Sequence, residues 1–127
     1  MKKDNKGFSL VELIIVIAIM AVLVGLLAPQ YLKYVENSKV STDISNAQEV
    51  ATAINVAFAD DNPSYKSGMN PLILPDGKSL PALKATGAGS MTVNIDDNGV
   101  SSIMDGANEL WPDPKKASTG YYTVHHK

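Results

Sequence analysis

The chain contains no cysteine and no arginine. Without cysteine there is no disulfide framework, no thiolate metal site and no thiol nucleophile. A domain outside the cytoplasm would have to hold together by packing alone. Without arginine the planar fork that reads guanine edges and clamps phosphates is missing, and all eleven basic residues are lysines. A net charge of −2 argues the same way, against a sequence-specific nucleic-acid reader. No serine stands in a Gly-x-Ser-x-Gly setting and no lysine in a glycine-rich phosphate loop, so no catalytic residue and no cofactor is expected. No metal site is expected either. His125 and His126 are adjacent, would point to opposite faces of a strand, and are read as an exposed chain end. Asp96-Asp97-Asn98-Gly99 lacks the alternate spacing of a calcium loop and reads as a turn. Asp105, Asn108, Glu109 and Asp113 would need the fold to gather them. At 127 residues the chain has room for one modest domain plus an extended element.

What is present in excess is a run of apolar residues. Residues 8–28 are broken only by Ser9 and Glu12 among the larger hydrophobics. At about 1.5 Å per residue a helix of that length spans roughly 30 Å, the thickness of a bilayer core. Its apolar residues cover every face, so it must be buried all round, in lipid or among helices of its own kind. A cleaved secretory signal is shorter and ends at a small-residue site. This run ends in Pro29-Gln30-Tyr31 and reads as a retained span. Lys2, Lys3 and Lys6 place its N-terminal side in the cytoplasm. Tyr31 and Tyr34, just past it, suit a membrane interface or a neighbouring helix equally well. Glu12 is the misfit, because a carboxylate in an apolar medium is costly unless it is paired.

The stretch KGFSLVELIIVIAIMAVLVGLLAP resembles the N-terminal segment of type IV pilins and the related pseudopilins. The resemblance is close over about the first 35 residues and architectural beyond them. It implies that residues 1–7 are a leader, cut by a prepilin peptidase between Gly7 and Phe8, with Phe8 then N-methylated. It also implies that Glu12 pairs with the Phe8 amine of a neighbouring subunit. The physical chemistry is consistent. Cutting after Gly7 would create an α-amine with a reference pKa of about 8, a cation that exists only after processing. Glu12 in the first turn also suits the helix dipole.

Pro29 cannot donate to the carbonyl of Gly25 and its ring crowds that carbonyl, while Gly25 is itself a poor helix former. Gly25 and Pro29 therefore make a weak point. The resemblance implies that residues 22–28 stretch in a filament; a plain proline kink is the alternative. Many pilins have a further glycine near position 21, where this chain has Ala21.

Beyond Pro29 the apolar residues Leu32, Val35, Val40, Ile44, Ala47, Ala51, Ile54 and Phe58 recur at mostly three or four positions, one face of an amphipathic helix. Lys33, Glu36, Asn37, Lys39, Asp43, Asn46 and Glu49 are expected to be wet. The helix should end near Ala59, before Asp60-Asp61-Asn62-Pro63. Residues 62–88 read as an ordered loop, with one helical turn over 80–85. Met91, Val93 and Ile95 alternate with polar residues, Asp96-Asp97-Asn98-Gly99 turns the chain, and residues 100–104 return as a second strand. Gly120-Tyr-Tyr-Thr-Val-His-His reads as a third strand, and Glu109-Leu-Trp-Pro-Asp-Pro as a packed loop anchored by Trp111.

The expected fold is α+β. A membrane or filament-core helix (8–29) continues into an amphipathic half (30–60) packed on a head (61–127), which carries a loop and a three- to four-stranded antiparallel sheet. The expected function is a structural subunit of a type IV pilus-like filament, a homo-oligomer. The resemblance implies a peptidase/methyltransferase, a membrane platform and an assembly ATPase as partners. It implies a single-pass precursor in the cytoplasmic membrane, then an extracellular filament, with roles in adhesion, twitching motility or DNA uptake. One alternative is a pseudopilin of a type II secretion or competence system. Another is a membrane-tethered binding module or enzyme, which would have no use for Glu12 or for processing at Gly7-Phe8.

Overall fold

A computed structural model describes residues 9–126. The proposed leader, Gly7 and Phe8 lie outside the described residues. The elements in order are helix α1 (Leu10–Ala59), strands β1 (Met91–Asp96), β2 (Gly99–Asp105) and β3 (Asn108–Trp111), and a short helix α2 (Tyr121–His125). The class is α+β, as expected. The chain divides into two compact units, Met1–Val35 and Glu36–Lys127, with α1 contributing to both.

In the second unit the helix buries Glu36, Val40, Asp43, Ala47, Val50, Ala51, Ile54 and Ala57, a stripe of three- and four-residue steps. Small residues recur on it, which lets the sheet approach closely. Val93, Ile95, Val100, Ile103, Leu110 and Tyr121 meet it to form the core. In β1 burial alternates with the pleat: Met91, Val93 and Ile95 face in, and Thr92 and Asp96 face solvent.

The sheet is antiparallel in the order β1-β2-β3. The turn after β1 lies where the sequence placed it, between the paired Asp96 and Gly99. Two other expectations fail. The third strand is Asn108–Trp111, which overlaps the stretch read as a packed loop, and residues 121–125 are helical, not extended. The cause is a second tight turn. Asp105 pairs with Asn108 across Gly106-Ala107, and Gly106 takes φ +60°, a left-handed conformation that glycine adopts without steric cost. Once residues 108–111 fill that place, α2 follows Gly120, where a Cβ would strike the backbone of Pro114 and Lys116.

Residues 80–85 form no helical turn. Pro81 steers Leu80 away from helical geometry, and the amides of Lys84 and Ala85 are bound to a side chain instead of to a preceding carbonyl.

Both sheet edges are covered by the chain itself. Along β1, the Gly68 amide donates to the Ile95 carbonyl (2.8 Å) and the Asn70 side-chain amide to the Val93 carbonyl (2.8 Å). Along β3, the Glu109 amide donates to the Thr119 carbonyl (2.8 Å). Edge-to-edge strand pairing, the common route to unplanned association, is thereby blunted.

Candidate functional site

In the first unit α1 is apolar on all sides. Leu10, Val11, Leu13, Ile14, Ile15, Val16, Ile17, Ile19, Met20, Val22, Leu23, Val24, Leu26 and Leu27 are all exposed in the single chain. This is long and apolar enough to cross a membrane, and its apolar side chains are exposed among the described residues. A monomer in water could not keep so much hydrocarbon exposed, so the segment needs lipid or other helices around it. α1 passes through Gly25 and Pro29 as one helix. A Cβ added at Gly25 would meet no atom within 4 Å, so nothing inside the subunit requires a glycine there.

At the start of this helix stands Glu12, the acidic residue of the first turn. Ser9 precedes the helix. Its Oγ accepts the Glu12 amide N–H at 3.2 Å and donates to Glu12 Oε1 at 3.2 Å. The first bond caps the start of the helix, and the second joins the two side chains. Sequence reasoning singled out Glu12 and passed over Ser9, although their spacing carried the signal.

The second unit contains a group of acids that sequence reasoning placed in solvent. Asp43 is fully buried, and Glu36 and Asp105 are each 9 % exposed. Asp43 accepts the Lys84 amide on both oxygens (2.8 and 2.9 Å), the Ala85 amide (3.0 Å) and the Tyr121 hydroxyl (2.6 Å). Glu36 accepts the amide and the hydroxyl of Thr86, both at 2.7 Å. Asp105 accepts the Gly89 amide at 3.0 Å. Three carboxylates thus grip one loop segment, residues 84–89, by its backbone. Amide donors make such burial tolerable, because hydrogen bonds replace the lost hydration. Burial, then the hydrogen bond to Asp43, then the charges of Asp43, Asp105 and Glu36 hold the Tyr121 phenol far above its usual pKa. The arrangement binds loop to helix and offers no reacting group to a substrate.

His125 is not an exposed chain end. Its ring lies 4.5 Å from that of Tyr121, and its Nε2 is buried 3.8 Å from Asp105 Oδ2. Residues 121 and 125 share one face of α2, which an extended reading could not bring together. His126 instead stacks on Tyr122. Among the described residues no three histidine or acidic side chains come together as a metal site.

The described residues thus combine an exposed apolar helix, one carboxylate in its first turn and a small α+β head. Residues 2–28 match the prokaryotic N-terminal methylation motif. The chain is 42% identical over 60 residues to the type IV major fimbrial protein FimA of Dichelobacter nodosus, covering 47% of this chain and 38% of that protein. It is 29% identical over 108 residues to a fimbrial protein of Pseudomonas aeruginosa, covering 85% of this chain and 67% of that one. It is 26% identical over 83 residues to the type II secretion system core protein G of Pseudomonas aeruginosa, covering 63% and 58%. The match spans less than half the length of the FimA relative. No solved structure matches. The N-terminal segment thus carries the methylation motif, and the chain is similar to type IV fimbrial proteins and to a type II secretion core protein.

Proposed function

We propose that this chain is a structural subunit of a type IV pilus-like filament. The carrying observation is the helix of the first unit, bare on every side and bearing one carboxylate in its first turn. Subunits wait in the cytoplasmic membrane with the lysine-flanked end inside. A prepilin peptidase removes residues 1–7 and Phe8 is methylated. A membrane platform and an assembly ATPase then transfer the subunit into the filament. The helix exchanges lipid for neighbouring helices, so its hydrocarbon never meets water. Glu12 is neutralised by the Phe8 amine of a neighbour. Gly25 and Pro29 form the weak point at which the packed helix stretches. The covered sheet edges support the same reading, because they leave the helix, not strand pairing, as the route of assembly.

Electron microscopy of sheared surface material tests this. Filaments that contain the chain are expected, and Glu12→Gln should reduce them strongly while the membrane pool persists. Normal filaments from Glu12→Gln would refute the charge pair. A chain found only in the membrane would refute the filament.

A second reading, a pseudopilin of a secretion or competence system, is favoured by the similarity to the type II secretion core protein G. It predicts the same processing, with short envelope-bound assemblies in place of long surface fibres.

A further inference from the structure

We propose that Asn98-Gly99, in the turn between β1 and β2, is a self-modification site: the Asn98 side chain closes on the Gly99 nitrogen, ammonia leaves, and an aspartate or isoaspartate remains. The chemistry needs the head alone and does not depend on the filament reading.

The fold singles out one asparagine among the described residues. Asn37, Asn46 and Asn55 lie within α1, where the amide of each following residue belongs to the helix ladder. Asn62 and Asn70 precede Pro63 and Pro71, which have no N–H. The Asn94 side chain donates to Ser102 Oγ at 3.0 Å and accepts from Asn70 at 2.8 Å. Asn108 precedes Glu109, whose amide donates to the Thr119 carbonyl at 2.8 Å. Asn98 is exposed and precedes a glycine, and its side-chain amide makes no hydrogen bond among the described residues. Its main-chain N–H is held by Asp96 Oδ1 at 2.8 Å.

Packing requires the glycine. Gly99 takes φ +116°, and a Cβ there would strike Asn55 Oδ1. The same Asn55 oxygen accepts the Val100 amide at 2.8 Å and so latches the hairpin to α1. The residue that fits against α1 is therefore also the one that leaves its own nitrogen unshielded by a side chain. Gly99 pairs with Asp96 across the turn, so opening that one pair frees the nitrogen.

The Gly99 nitrogen gives its proton to hydroxide and forms a bond to Asn98 Cγ. The bond from Cγ to the side-chain nitrogen breaks, and ammonia departs with a proton from water. Water then opens the cyclic imide. Breaking the bond from Cγ to the Gly99 nitrogen gives aspartate; breaking the bond from the main-chain carbonyl carbon to that nitrogen gives isoaspartate. Nothing is oxidised or reduced. Either product adds a carboxylate beside Asp96 and Asp97. Isoaspartate also inserts a methylene into the main chain before Gly99, which draws Val100 away from Asn55 and releases the latch.

The test holds the full chain in detergent in mildly alkaline buffer, below the range in which the tyrosines ionise, and maps its peptides by mass over time. The amide-to-acid mass shift is expected at Asn98, in two chromatographically distinct products, about tenfold or more faster than at Asn55 or Asn108. Asn98→Gln, which must close a larger ring, should lose the shift. Val100 amide exchange should quicken in the isoaspartate fraction and stay at the parent level in freshly prepared Asn98→Asp, which adds the charge without the methylene. Three results would overturn the proposal: no mass shift at Asn98, a shift arising equally at the other asparagines, or unchanged Val100 exchange in the isoaspartate fraction. Equally fast Val100 exchange in Asn98→Asp would assign the effect to charge and refute the released latch.

Discussion

The Tyr121 hydroxyl donates to Asp43 Oδ2 at 2.6 Å, joining two residues 78 positions apart. Both side chains are fully buried. The bond fastens the C-terminal helix α2 to α1, while the same carboxylate holds the amides of Lys84 and Ala85. One acid therefore ties together the helix, the connecting loop and the chain end, in a head that has no disulfide to do so.

Tyr121→Phe removes one donor to a charged acceptor and should cost about 1.5–3 kcal/mol of head stability. Asp43→Asn should cost more, about 3 kcal/mol or above, because an amide group would be set against donors in a fully buried site. Thermal unfolding of the full chain in detergent, followed by near-ultraviolet circular dichroism of Trp111 and the tyrosines, measures both. Equal stability of Asp43→Asn and the parent would show that the buried carboxylate is not the fastening.

Alkaline pH should loosen the head. The pKa of Tyr121 is raised by burial, by its bond to Asp43 and by the surrounding acids; that of Tyr65 is raised by burial and by the charge of Asp76. A group whose pKa is higher folded than unfolded binds its proton more tightly in the fold. Its contribution is complete below the unfolded value of about 10 and is lost as pH rises above it. Tyr121 alone should remove about 1.4 kcal/mol per pH unit in that range. Unfolding midpoints measured from pH 8 to 12 should fall above about pH 10. Tyr121→Phe should flatten that fall, and an identical slope in the variant would contradict the assignment.

Glu36 should act locally. It holds Thr86 by the backbone amide and the hydroxyl. Glu36→Ala is expected to speed amide hydrogen exchange at residues 84–89 while β1 and β2 keep their protection. Uniformly faster exchange throughout the head would mean that this contact is part of the global fold rather than a clasp on one loop.

Gly25→Ala should leave the subunit intact, since a Cβ there has open space, and should strengthen the helix by about 0.8–1 kcal/mol. In filaments the substitution should slow amide exchange over residues 22–28. Unchanged exchange would argue that Pro29 alone governs that segment.

The long helix and the first hairpin were legible in the sequence because each rests on a local pattern. The apolar run, the amphipathic steps from Val40 to Ile54 and the Asp-Asp-Asn-Gly turn need no distant partner. The third strand was misplaced: the Tyr-Tyr-Thr-Val-His stretch read as the strand, while Asn108–Trp111, set by the turn at Gly106, overlapped a stretch read as a loop. The buried acids were not legible. Glu36 and Asp43 lie on the packed face because their partners are the backbone amides of Thr86, Lys84 and Ala85, and an amide has no sequence signature. For the same reason His125 looked like a loose end until α2 placed it beside Tyr121 and Asp105. At the functional end, composition exposed the conflict between Glu12 and its apolar surroundings, and the Ser9-x-x-Glu12 spacing carried the cap that the hydrogen bonds show.

The central claim is that proteolysis uncovers the charge that makes Glu12 acceptable among packed helices. The intact mass of the chain in filaments sheared from the cell surface tests it most directly. The account predicts a species that begins at Phe8 and carries one added methyl group. A filament subunit that retains residues 1–7, or one cut elsewhere so that no amine lies beside Glu12, would contradict it.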